Sequence, residues 1–150
     1  MTKKKRGLLI AAGVLLLAAA AAVIFWPRGT LGALYGEYFD RYEIRGVGCW
    51  DQDAHAELRP REGREAEVVD ALRAMELRAA PFAREPEDEP LRFQISFGVE
   101  DALAIDCFSG GLVRVSGVFP RVPSLSRTRF YRVTGGLDLT ALRGLLEVET

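Results

Sequence analysis

The chain has 150 residues, about half of them hydrophobic, with twenty basic and twenty-one acidic side chains and a net charge of −1. A length of this order supports one modest core besides anything a membrane holds, so a single folded domain is expected. All three lysines precede residue 7, and beyond residue 26 sixteen arginines meet twenty-one acids, a balance near minus five that argues against a nucleic-acid partner.

Gly7 to Trp26 carries no charge. Twenty helical residues at about 1.5 Å each reach roughly 30 Å, the thickness of a bilayer's hydrocarbon core, which predicts a single-pass transmembrane helix over residues 7–26. Lys3, Lys4, Lys5 and Arg6 make residues 1–6 a basic cytoplasmic tail, and only Arg28 follows closely, so the positive-inside bias sends the rest of the chain across the cell membrane. Trp26 stands where an aromatic anchor meets the headgroups, and Pro27 ends the helix. The competing expectation is a cleaved signal peptide and a secreted product, with Lys3 to Arg6 as its basic region and Ala18 to Ala22 as cleavage sites. The apolar run through Val23, Ile24, Phe25 and Trp26 favours an uncleaved signal anchor. A lipoprotein would need its acceptor cysteine at that point, and the first cysteine is Cys49. Ala18 and Ala22 are spaced for close helix approach, a spacing that alanine-rich segments reach by chance.

Residues 27–43 read as a juxtamembrane segment in which Leu31, Leu34, Tyr35, Tyr38, Phe39 and Tyr42 recur at helical spacing, with Gly32 and Gly36 weakening the helix. Their apolar stripe either lies on the membrane or packs on the domain's own core. Ile44 to Trp50 and Ala54 to Arg59 read as strands joined by the polar turn Asp51-Gln52-Asp53. After Pro60, Val68, Val69, Leu72 and Met75 line one side of a helix from about Arg61 to Glu76. Arg84 to Pro90 is acidic, proline-rich and without apolar residues, so a solvated loop is expected.

Leu91, Phe93, Ile95 and Phe97 alternate with Arg92, Gln94 and Ser96, the period of a strand with one buried face. Leu103, Ile105 and Cys107 repeat it, and Ser109-Gly110-Gly111 turns the chain into Leu112 to Val118. A loop from Pro120 to Ser126 leads to a strand around Arg127 to Thr134, and Asp138 caps a last helix whose stripe is Leu139, Leu142, Leu145 and Leu146. Residues 44–150 are thus expected to form an extracytoplasmic α+β domain: an antiparallel sheet of about five or six strands with two helices packed on one face.

Several residues invite a chemical reading. Cys49 and Cys107 both fall in expected strands of an exported domain and would, if bonded, stabilise it by about 4 kcal/mol through a loop of nearly sixty residues. Two buried free thiols fit the sequence equally well, and strand adjacency decides between them. Arg114, Arg121, Arg127, Arg129 and Arg132 either converge into a cationic patch for anionic headgroups or envelope polymers, or occupy the solvent face of the sheet. Asp51, Asp53 and His55 have the alternation of three ligands on one strand side, a pattern that any solvent-facing strand edge also produces. Glu87-Asp88-Glu89 lacks the glycine of a calcium loop, and Ser109 lacks a nucleophile elbow. No cysteine pair has redox spacing, and no pattern implies a cofactor, a metal site or a catalytic residue.

The hairpin after Phe39, the Val68/Leu72/Met75 helix, the Leu91 to Phe97 strand, Ser109-Gly110-Gly111 and the Leu139 to Leu146 helix together make the chain similar to small uncharacterised membrane-anchored exported domains of Gram-positive bacteria. That resemblance rests on element order and apolar spacing, and it implies no catalytic residues. The expected function is a noncatalytic, membrane-anchored module that binds an envelope protein or polymer through its exposed sheet side or loops. The alternatives are an envelope hydrolase, which needs two carboxylates or His55 converging in a deep pocket, and a structural subunit of a membrane complex.

Overall fold

The computed structural model describes residues 2–24, 26–120, 122–123 and 126–149. The first element, α1 (Lys3–Ile24), is uniformly apolar beyond its basic first turn, and from Lys3 to Val23 it is long and apolar enough to cross a membrane. It starts four residues before the uncharged run, because nothing in Lys3 to Arg6 opposes a helix, and it stops ahead of Pro27. Trp26 lies beyond the helix and packs its ring against Phe82, with centroids 5.8 Å apart.

Residues 27–43 do not form a separate segment. Arg28–Thr30 is an edge strand, β1, and the N–H of Ala79 donates to the carbonyl of Pro27 at 2.8 Å, so the chain enters the domain directly after α1. Thr30 caps the one-turn α2 (Leu31–Leu34) by accepting from the Ala33 N–H, and α3 (Gly36–Phe39) follows. Leu31, Tyr35, Tyr38 and Phe39 are buried in the main core, which resolves the two fates of this stripe in favour of packing. Tyr35 and Tyr131 place their hydroxyls 3.3 Å apart inside it.

The remaining elements are β2 (Gly46–Asp51), β3 (Ala56–Pro60), α4 (Glu65–Arg73), β4 (Glu76–Ala79), β5 (Leu91–Ser96), β6 (Ala102–Cys107), β7 (Leu112–Val118), β8 (Thr128–Gly135), α5 (Leu139–Gly144) and β9 (Leu146–Val148). The architecture is α+β, with one nine-stranded antiparallel sheet ordered β1-β4-β8-β7-β6-β5-β2-β3-β9. The expected five or six strands miss β1, β4 and β9. Each is three or four residues long, too short to display a period of two, and each forms by pairing with a strand distant in sequence. The expected helix to Glu76 ends at Arg73, since the following residues pair with β8, and the last helix gives way to β9 for the same reason.

Not two helices but four, α2 to α5, contribute to the core on one face of the sheet. Val68 and Leu72 of α4 and Leu142 of α5 join Cys49, Phe93, Ile95, Leu103, Ile105, Val113, Val115 and Tyr131 in one cluster. Gly136 permits the β8–α5 turn: its φ is +78°, and an added Cβ would lie 2.9 Å from the Ala74 carbonyl oxygen.

Candidate functional site

The same alternation that fills one face leaves the other without a covering helix. Strand register places Glu57, Trp50, Arg92, Asp106, Arg114 and Phe130 in a single row across β3, β2, β5, β6, β7 and β8. Asp106, only 1% exposed, is the buried charge of this open face. Arg92 grips it with a fork, Nε to Oδ1 at 2.5 Å and Nη2 to Oδ2 at 3.0 Å, while Arg114 donates from Nε to Oδ2 at 2.8 Å. A buried carboxylate between two guanidiniums is satisfied by charge-assisted bonds that neutral partners could not match. Asp106 also raises the pKa of Arg92 through that hydrogen bond, so the arginine stays charged.

Arg114 continues the row into a loop. Its Nη1 pairs with Glu85, and Asp88 accepts from both the backbone N–H and the hydroxyl of Ser109, at 3.1 and 2.9 Å. Those two bonds hold the Asp88 carboxyl below its ordinary range. The acidic loop is thus tied to the sheet through Glu85 and Asp88, although its charged side chains remain exposed.

Beside Arg92 the open face sinks into a trough of about 430 Å³ lined by Gly46, Gly48, Trp50, Glu57, Arg92, Gln94 and Ser96. Gly46 and Gly48 have open space where a Cβ would stand, so neither glycine is demanded by packing. Trp50 is 40% exposed although it lies in mid-sheet. An indole face, a guanidinium fixed by Asp106, and the carboxamide of Gln94 are the groups that stack on and hydrogen-bond to flat polar ligands. Among the described lining residues one carboxylate, Glu57, is present, and His55 is not part of the trough.

The other candidate residues are dispersed. Asp51 is 4% exposed at the end of β2, where it accepts from the Ala54 N–H at 3.2 Å and pairs with Arg143 of α5. Burial pushes its pKa up, but the hydrogen bond and charge of Arg143, with the N–H groups of Ala54 and Asp53, outweigh that and hold it below the usual value. Asp53 is exposed, and His55 sits in the β2–β3 turn at φ +49°. Asp51, Asp53 and His55 therefore do not line up along one strand side, and no metal-holding cluster occurs among the described residues.

Cys49 and Cys107 are free, buried thiols rather than a disulfide. Register explains it. Cys49 stands opposite Phe93 of β5, Phe93 opposite Ile105 of β6, and Cys107 lies two residues further along β6. Two strand spacings and two residues separate their Cα atoms by about 12 Å, well beyond the roughly 7 Å limit of a bridge. Burial first, then Asp51, pushes the Cys49 thiol up to about 12 against the opposing effect of Arg143. Cys107 reaches about 12 for the same first reason, with Asp106 and Cys49 adding to it. Burial thus disfavours the thiolate at both positions.

The four described arginines of this set do not converge. Arg114 is neutralised in the Asp106 cluster, and Arg132, in register with Leu112, shares the open face at an exposed position. Arg129, opposite Val115, has the parity of the other face and lines a groove at the β8 rim, with Arg127 just before the strand. Arg121 lies outside the described residues.

Sequence reasoning missed Asp106 and Trp50. An acid inside the run Leu103-Ala104-Ile105-Asp106-Cys107, where strands disfavour aspartate, and a tryptophan on a polar-parity position were the available signals. No protein family, curated protein or solved structure matches this chain.

Proposed function

We propose that the protein is a single-pass membrane-anchored, noncatalytic binding module whose C-terminal domain faces the outside of the cell membrane and holds an envelope polymer or protein on the open face of its sheet. The observation that carries this reading is the trough itself. A sheet otherwise closed by helices keeps an uncovered face, floored by Gly46 and Gly48 and walled by Trp50 and a preset Arg92. Glycine within a strand costs stability, about 0.5–1 kcal/mol relative to alanine, and no neighbouring atom requires it at either position. A bare floor leaves room for a flat or extended ligand. That Glu57 is the one carboxylate among the trough's described lining residues favours binding over the two-carboxylate chemistry of a hydrolase.

A photo-crosslinking amino acid at Gln94, in the full chain in intact cells, tests the reading. The expected result is a discrete adduct that Gly48→Leu removes without lowering thermal stability. Adducts that form equally well from Asp70, on the helix-covered side, or that survive Gly48→Leu, would sink it.

A further inference from the structure

A second surface of different chemistry lies where the chain leaves α1. Trp26, Pro27, Ala79, Pro81, Thr128, Arg129 and Phe130 line an apolar groove of about 400 Å³ at the rim formed by β4 and β8. Phe82 projects beside it, 86% exposed, with the Trp26 ring against its own. The lining includes an arginine and no acid, and Arg28 and Arg127 stand exposed one residue beyond the groove's Pro27 and before its Thr128. Aromatic rings grouped with arginines in this way are what the headgroup zone of a bilayer accommodates.

The chain's path names the occupant. Only three residues separate Ile24, the end of α1, from Arg28, the start of β1, and Pro27 is hydrogen-bonded to Ala79. No stalk intervenes, so the groove lies within a few residues' reach of the membrane surface if α1 spans it. We infer that the Trp26, Phe82 and Phe130 rim, with Arg28, Arg127 and Arg129, is a docking collar that seats the domain on the headgroup layer of the same bilayer that α1 crosses. This rests on the anchoring part of the proposed function and is independent of what the trough binds. Strand order sets the trough, centred on β2 and β5, apart from this collar: it lies five to six strand spacings from β1, roughly 25–30 Å along the sheet.

The test uses the full chain reconstituted in vesicles of phosphatidylcholine with a minority of phosphatidylglycerol, carrying a nitroxide at a shallow acyl position. Three single-tryptophan proteins are compared: Trp50→Phe, which keeps Trp26; Trp26→Phe, which keeps Trp50; and Phe82→Trp placed in the double Trp26→Phe, Trp50→Phe background. Phe82 is exposed, so its replacement by another aromatic leaves the core untouched. The expected result is that the tryptophan introduced at position 82 is quenched severalfold more than Trp50, and less so when Arg127→Glu and Arg129→Glu are added. If it is quenched no more than Trp50 while Trp26 is quenched, the collar is overturned and the anchor stands. If Trp26 itself escapes quenching, the anchor and the collar fall together.

Discussion

The two faces of the sheet come from the same strands, residue by alternate residue, yet they obey different rules. On the covered face Phe93, Ile95, Leu103 and Ile105 are fully buried against helices, and their contribution is the removal of apolar surface from water. On the open face the buried charge is Asp106, and what holds it is a fork of arginine hydrogen bonds, with Leu112 as a buried apolar neighbour on the same face. A face closed by hydrophobic packing has no room for a ligand. A face held together by a local ion cluster can stay open beside it, which is how the trough next to Arg92 persists.

Substitutions in register neighbours can break that comparison. The largest effect is expected from Phe93→Ala on the covered face, a loss of about 3–5 kcal/mol in denaturant unfolding, because the cavity cannot collapse between sheet and helices. Asp106→Ala should cost roughly 2–3 kcal/mol, below the usual range for a broken buried pair because Arg92 can turn toward water. A cost under about 0.5 kcal/mol, the level of an ordinary surface change, would mean that the open face has no structural centre of its own.

Asp51 sharpens the comparison at a third position, the rim where β2 meets α5. Its folded pKa is depressed, so its contribution is fully present above the unfolded value of about 3.9 and is lost as pH falls through the lower folded pKa. Asp51→Asn should therefore be less stable than the wild type by about 1–2 kcal/mol at neutral pH, with the gap closing in the acid range below about pH 4. Paired urea titrations across pH 2–7 check it. A gap that persists unchanged into acid would mean that the Arg143 contact contributes nothing through charge.

Local chemistry made much of this protein legible. The uncharged run of α1, the strict alternation of β5 and β6, the Asp138 cap of α5 and the acidic loop are all set by residues near one another in sequence, where periodicity and propensity act directly. The sequence by itself therefore determined a membrane-length helix, an α+β class and an antiparallel sheet. Only the tertiary structure decided the rest, because it depends on which distant residues become register neighbours. Pairing over long separations created β1, β4 and β9, and put one strand between Cys49 and Cys107. It scattered the arginines over two faces and brought Arg92 and Arg114 onto Asp106 from either side. Register is a property of the assembled sheet, and a single strand's sequence specifies which face a residue takes without naming the residue that will stand beside it.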